Sequence, residues 1–206
     1  MGVMDRPTLI VIAGPNGSGK TTITEKLLKH SWSEDMVYIN PDNIAQKKFG
    51  GWNNKESFIK AANYAEDLRQ NCIKNKQSLV FETVFSTDGK IEFVQQAIQA
   101  GYFVRLFFIS TNDPIINIQR IALRFINGGH QVPTDKIISR YYKSIANCIK
   151  IIDYIDRIYI YDNSVDNADP KLIFRVINKP KNQTIKQYQP TYNWTKIIYD
   201  SVEFNQ

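Results

Sequence analysis

The residues best equipped for chemistry lie near the start of the chain: Gly14-Pro15-Asn16-Gly17-Ser18-Gly19-Lys20-Thr21, followed by Thr22. Gly14-x4-Gly19-Lys20-Thr21 fits the Walker A pattern. Its glycines let the backbone curl until successive N–H groups face phosphate oxygens, and a helix starting there adds partial positive charge. Lys20 is expected to reach the β- and γ-phosphates of ATP, and the Thr21 hydroxyl to ligate Mg²⁺. The loop specifies the nucleotide, not the reaction.

What would distinguish a kinase from a motor or a switch is the acceptor side. Asn40-Pro41-Asp42 ends a short apolar run, and Asp42 is either a general base for an acceptor hydroxyl or a helix N-cap before Ile44 and Ala45. Glu82, ending Val80-Phe81-Glu82, suits Mg²⁺ through water or hydrogen bonds to substrate hydroxyls. Arg120 and Arg124 share a helix face at a spacing of four, and Lys136, Arg140 and Lys143 stripe the next helix. The turn between them, Asn127 to Pro133, carries Gly128 and Gly129 as hinges. This is the pattern of a lid closing over phosphates, with Arg124 and Arg140 neutralising charge on the transferred group. His130, in that turn, suits a structural or substrate-side contact better than a metal.

Strands and helices must alternate to position these groups. Thr8 to Ala13, Met36 to Asn40, Ser78 to Glu82, Tyr102 to Ser110 and Arg157 to Tyr161 read as strands. Lys20 to His30, Lys55 to Asn75, the segment capped by Asp88 and closed by Gly101, Pro114 to Asn127, and Thr134 to Ile152 read as helices. Asn53 with Glu56 resembles a capping box. Such alternation predicts an α/β P-loop fold with a parallel five-stranded sheet, helices on both faces and a helical lid. Lys171 to Ile177 is a candidate last strand. Asn178 to Thr191 reads as a loop before a short terminal helix. The expected organisation is one kinase domain over 1–178, with the lid around 113–152, and a C-terminal extension, 179–206, packed on it.

A chain of 206 residues hides roughly 70% of its unfolded surface, enough for a core without staples. Cys72 and Cys148 fall among apolar neighbours and read as buried thiols. No apolar run approaches the ~20 residues of a membrane span, and the opening residues do not read as a signal peptide. A cytoplasmic protein without a membrane partner is expected. The net charge of +6 suits an anionic ligand. No interleaving of aromatic and basic residues is evident along the sequence, so nucleic acid is not the expected partner.

Taken in order, the phosphate loop, Asn40-Pro41-Asp42, Phe81-Glu82-Thr83-Val84-Phe85-Ser86, Gly128-Gly129-His130-x-Val132-Pro133, Arg140-Tyr141 and Tyr161-Asp162-Asn163-Ser164 resemble the zeta-toxin family, over roughly Leu9 to Ser164. The resemblance implies a nucleotide-kinase-like core. It also implies ATP-dependent phosphorylation of a hydroxyl on a sugar nucleotide, typically UDP-N-acetylglucosamine, and an antitoxin as possible partner. By motif it makes Lys20 a phosphate ligand, Thr21 the metal ligand, Asp42 the base, Glu82 and Thr83 substrate contacts, and Arg124 and Arg140 the lid arginines. Glu82 and Thr83 are adjacent here, whereas the better-known toxins separate them by one residue. Lid spacing also differs, which makes Arg120 an alternative to Arg124. Two other readings are open: a polynucleotide or nucleoside kinase, and a nucleotide-dependent switch without an acceptor.

Overall fold

Six residues of unbroken apolar or β-branched character make β1 (Thr8–Ala13), and Leu9 to Ala13 are fully buried. Continuous burial of this kind marks a strand covered on both faces. The structure, a computed structural model, describes residues 6–51, 55–129, 132–179 and 182–203. Around β1 stand β2 (Val37–Ile39), β3 (Leu79–Thr83), β4 (Phe103–Ser110) and β5 (Arg157–Asp162), all parallel. The order is β2-β3-β1-β4-β5, so the direction in which successive strands are added to the sheet reverses beside β1. Ligand crevices open at the carboxyl ends of strands at such a reversal. The phosphate loop leaves β1 there.

The five expected parallel strands are present, but the sheet has seven. β6 (Lys171–Lys179) and β7 (Asn182–Gln187) extend it beyond β5, each antiparallel to the strand before it. β7 corrects the expectation of a loop over Asn178 to Thr191. Its Asn-Gln-Thr-Ile-Lys-Gln composition is poor in strand formers, and pairing with β6 overrides that weak local preference. The terminal helix is α7 (Asn193–Glu203).

The helices before it are α1 (Lys20–Leu28), α2 (Pro41–Lys48), α3 (Lys55–Lys74), α4 (Asp88–Gln99), α5 (Pro114–Ile126) and α6 (Thr134–Ile151). They cover the sheet unequally. Residues of α3, α4, α6 and α7 enter one core cluster, whereas the cluster on the opposite face receives Ile23 and Leu27 of α1 alone. Two caps differ from expectation. Asn40, not Asp42, caps α2, accepting from the amides of Asp42 and Asn43, with Pro41 in the first turn. Thr87 occupies the N-cap of α4, which puts Asp88 in the first turn, where its charge favours the helix dipole. Asp113 caps α5 through the Ile115 amide, as the Asp-Pro pair predicts. Asn53 lies outside the described residues.

Candidate active site

The phosphate loop is built so that nothing else fits in it. A Cβ on Gly14 would sit 1.9 Å from the Ile109 carbonyl oxygen, and one on Gly19 2.0 Å from Asn163 Nδ2. Gly19 holds φ +86 as the N-cap of α1, and no side chain caps the helix. No acid lies in the first turn of α1, and Thr21 and Thr22 are exposed there. The first amides of α1 are therefore without a side-chain acceptor, the condition that lets a helix start receive an anion. Ser18 is fully buried, and its Oγ has no hydrogen-bond partner among the described residues.

Lys20 Nζ donates to the Gly14 and Pro15 carbonyls, both at 3.0 Å. Burial lowers its proton affinity; the charges of Glu82 and Asp42 oppose that shift and Arg124 adds to it. Asp42 and Glu82 thus act on Lys20 from neighbouring strand ends, and the three groups share one end of the sheet. Glu82 Oε2 accepts from Thr24 Oγ1 at 3.0 Å, Asn40 Nδ2 at 3.2 Å and Tyr38 OH at 3.3 Å. Burial, and then the Glu82 carboxylate, push the Tyr38 phenol well above its ordinary range. Tyr38 therefore stays a donor to Glu82.

Asp42 is exposed, and it lines a cavity of about 520 Å³ with Asn16, Leu123, Arg124, Asn127, Val132 and the backbone of Gly128 and Gly129. Arg124 is exposed at the end of α5. Arg140 lies beside the loop, its guanidinium donating to Asn16 Oδ1 at 3.2 Å. Arg120 faces elsewhere. It holds Asp166 through Nε and Nη2 and the Asn163 carbonyl through Nη1. Of the two candidates four residues apart, Arg124 reaches the cavity. The Thr83 hydroxyl accepts from the Phe85 amide, at a turn where Phe85 has φ 61. His130 lies outside the described residues.

Two asparagines fix the loop from outside: Asn117, which carried no sequence signal, and Asn163, which stands in the Tyr161-Asp162-Asn163-Ser164 motif without a role assigned to it. Asn117 Nδ2 donates to the Asn16 carbonyl at 2.6 Å, and Asn163 Nδ2 to that of Ser18 at 2.9 Å. Asn163 follows Asp162, which is itself buried and held. Asp162 Oδ2 accepts from the Trp194 indole at 2.9 Å and from Ser164 Oγ at 2.8 Å. The C-terminal helix is thereby tied to the segment that props the phosphate loop. Trp194→Phe keeps an aromatic ring, though a smaller one, in the core and removes that charge-assisted bond, at a cost of at least about 2 kcal/mol. A fall in Tm of roughly 4–8 °C is expected by calorimetry, and an unchanged Tm would show the bond to be dispensable.

Does the site suit a triphosphate with its metal? The open cradle, the uncapped helix start and a half-buried lysine with no acid in salt-bridge contact among the described residues all fit phosphate. Mg²⁺ needs few protein ligands when phosphates supply the rest. The exposed Thr21 hydroxyl fits that demand, and Glu82 Oε1 accepts no hydrogen bond among the described residues. The described helices include none long and apolar enough to cross a membrane.

Comparison with known proteins agrees with this geometry. An uncharacterized protein of Haemophilus influenzae is 31% identical over 134 residues, 64% of this chain and 91% of that protein. A structure from the PezAT chromosomal toxin-antitoxin system of Streptococcus pneumoniae superposes with TM-score 0.60 at 20% identity, covering 98% of this chain and 88% of that one. The AvrRxo1-ORF1:-ORF2 complex with ATP gives TM-score 0.63 at 18% identity over 84% of this chain and 59% of that one. These likenesses are of fold. A family model described as Zeta toxin matches residues 3–169, a span that takes in Gly14 to Thr22, Asp42, Glu82, Arg124 and Arg140. The chain belongs to the zeta toxin family, and that membership supports a nucleotide-dependent kinase of the P-loop phosphotransferase type.

Proposed function

We propose that the chain transfers the γ-phosphoryl group of ATP to a hydroxyl of a sugar nucleotide of the UDP-N-acetylglucosamine class. The observation that carries this reading is the cavity in which Asp42 and Arg124 share the walls with Asn16 of the phosphate loop. An acceptor there would meet a base on one side and cations on the other.

Each residue then has a defined task. The amides of Gly14 to Thr22 and the ammonium of Lys20 orient the phosphates. Thr21 would hold Mg²⁺ beside them, and that ion would neutralise charge between the β- and γ-phosphates. Asp42 removes the acceptor proton, and Arg124 and Arg140 stabilise charge on the transferred group. Glu82, kept in place by Tyr38 and Asn40, offers Oε1 to an acceptor hydroxyl. Thr83 is a weaker candidate contact, because its oxygen already serves the turn. We place Arg120 among the residues that support the loop rather than touch substrate. A protein antitoxin as partner belongs to the same proposal and takes its support from the PezAT likeness.

The test is acceptor-dependent ADP formation. UDP-N-acetylglucosamine should stimulate it, while nucleosides and RNA 5′-hydroxyls should not. Hydrolysis unchanged by every sugar nucleotide would defeat the proposal. Arg124→Ala should lower turnover about 10²–10³-fold, whereas Arg120→Ala should mainly lower Tm. The reverse pattern would exchange their roles.

A pH effect follows from Lys20. Burial lowers its proton affinity in the free protein, and bound phosphate would raise it again, so binding draws in a proton. ATP affinity should therefore fall as pH rises through the free-state value, which lies below that of an ordinary lysine. Calorimetric titration across alkaline pH checks this. Affinity that holds steady until ordinary lysines titrate would contradict it.

A further inference from the structure

Asn117 and Ile121 are the buried residues of α5, and Arg120 and Arg124 leave the same half of the helix, toward Asp166 and the cavity. The other half faces water. Ile115, Gln119, Ala122 and Ile126 are all exposed there, Ile115 by 56% and Ile126 by 77%. Their spacings of four, three and four residues are those of a heptad seam, the pattern by which one helix packs along another. Leu123, beside the seam, is 62% exposed and turns to the active-site cavity, but none of the four seam residues lines that cavity. An acceptor bound there therefore leaves the seam uncovered. Large aliphatic side chains held in water at a regular helical spacing mark a surface that another molecule covers.

The chemistry of the seam decides what that molecule is. Anionic lipid and acidic peptides are recognised by cations set among apolar residues. The seam has no charged residue, and α5 as a whole has no acid. It therefore raises no like-charge repulsion against a copy of itself, although the chain carries a net charge of +6. The order of its side chains is also self-complementary. An antiparallel pair with its two-fold axis between Gln119 and Ala122 sets Ile115 of one copy against Ile126 of the other, and Gln119 against Ala122. Long then meets short at the centre, as in well-packed cores, and aliphatic meets aliphatic at both ends. A parallel pair would set Ala122 on Ala122 and leave a gap.

We propose that this side of α5 is a contact between two copies of the chain, with the two α5 helices antiparallel. A helix of this length spans about 20 Å, which puts the contact at the small end of interface sizes and makes the dimer reversible. The contact does not depend on the kinase reading.

Sedimentation velocity on the full chain from about 1 to 200 μM tests this, a range that brackets weak contacts. The wild-type coefficient should rise with concentration from that of a monomer to that of a dimer. Ala122→Glu places two carboxylates beside the axis and should keep the chain monomeric throughout. Gln119→Lys/Ala122→Glu sets each new lysine opposite a new glutamate of the second copy and should recover association. At the dilute end all three proteins should melt within about 3 °C of one another, because both positions are exposed, which separates a lost contact from a lost fold. A wild type that stays monomeric at every concentration, or an Ala122→Glu variant that dimerises as wild type does, would overturn the proposal. So would a double variant that stays monomeric, or capture of the wild type by phosphatidylglycerol vesicles in place of self-association.

Discussion

Asp42→Asn is expected to lower acceptor-dependent ADP formation by about 10²–10⁴-fold while ATP affinity stays within about threefold. The asparagine keeps the shape of the side chain and its place at the start of α2, where Asn40 supplies the cap and Asp42 only its amide. The substitution removes proton acceptance and leaves the cradle alone. Steady-state kinetics with direct ATP titration separates the two effects. Full turnover in the variant would eliminate Asp42 as the base. Lost ATP binding would mean that it serves the nucleotide instead.

Lys20→Met should act in the opposite sense on two observables. Transfer should fall about 10²–10³-fold, because the ammonium is the cation the buried loop itself brings to the phosphates. The ligand-free protein should melt no lower than wild type. Lys20 is half-buried and spends its charge on two carbonyl oxygens, and removing an incompletely compensated, partly desolvated charge is often neutral or stabilising. A large drop in Tm would make Lys20 a structural residue first.

How much of this could be read from the sequence depended on distance along the chain. The phosphate loop was legible because glycine spacing, a buried strand before it and a helix after it are all local. The parallel core was legible for the same reason, through runs such as Phe103 to Ser110. The supports of the loop were not. Asn117 reaches Asn16 across 101 residues and had no pattern to announce it; Asn163 reaches Ser18 across 145, and its Tyr161-Asp162-Asn163-Ser164 motif marked the segment without revealing the contact. The choice between Arg120 and Arg124 was hidden as well, because identical side chains four apart differ only in what the following loop offers them. Asp166 and the Asn163 carbonyl decided it. β7 escaped notice because its strand character comes from β6.

The central claim is that amides curled around Gly14 to Thr22, with Lys20, hold a triphosphate opposite Asp42. Thermal melting with Mg²⁺-ATP at about one hundred times its Kd tests it most directly. Wild type and Asp42→Asn should both rise by roughly 5–10 °C, corresponding to about 2.7 kcal/mol, and Lys20→Met should rise far less. A wild-type Tm unmoved by ATP, or an equal shift in all three proteins, would contradict the account.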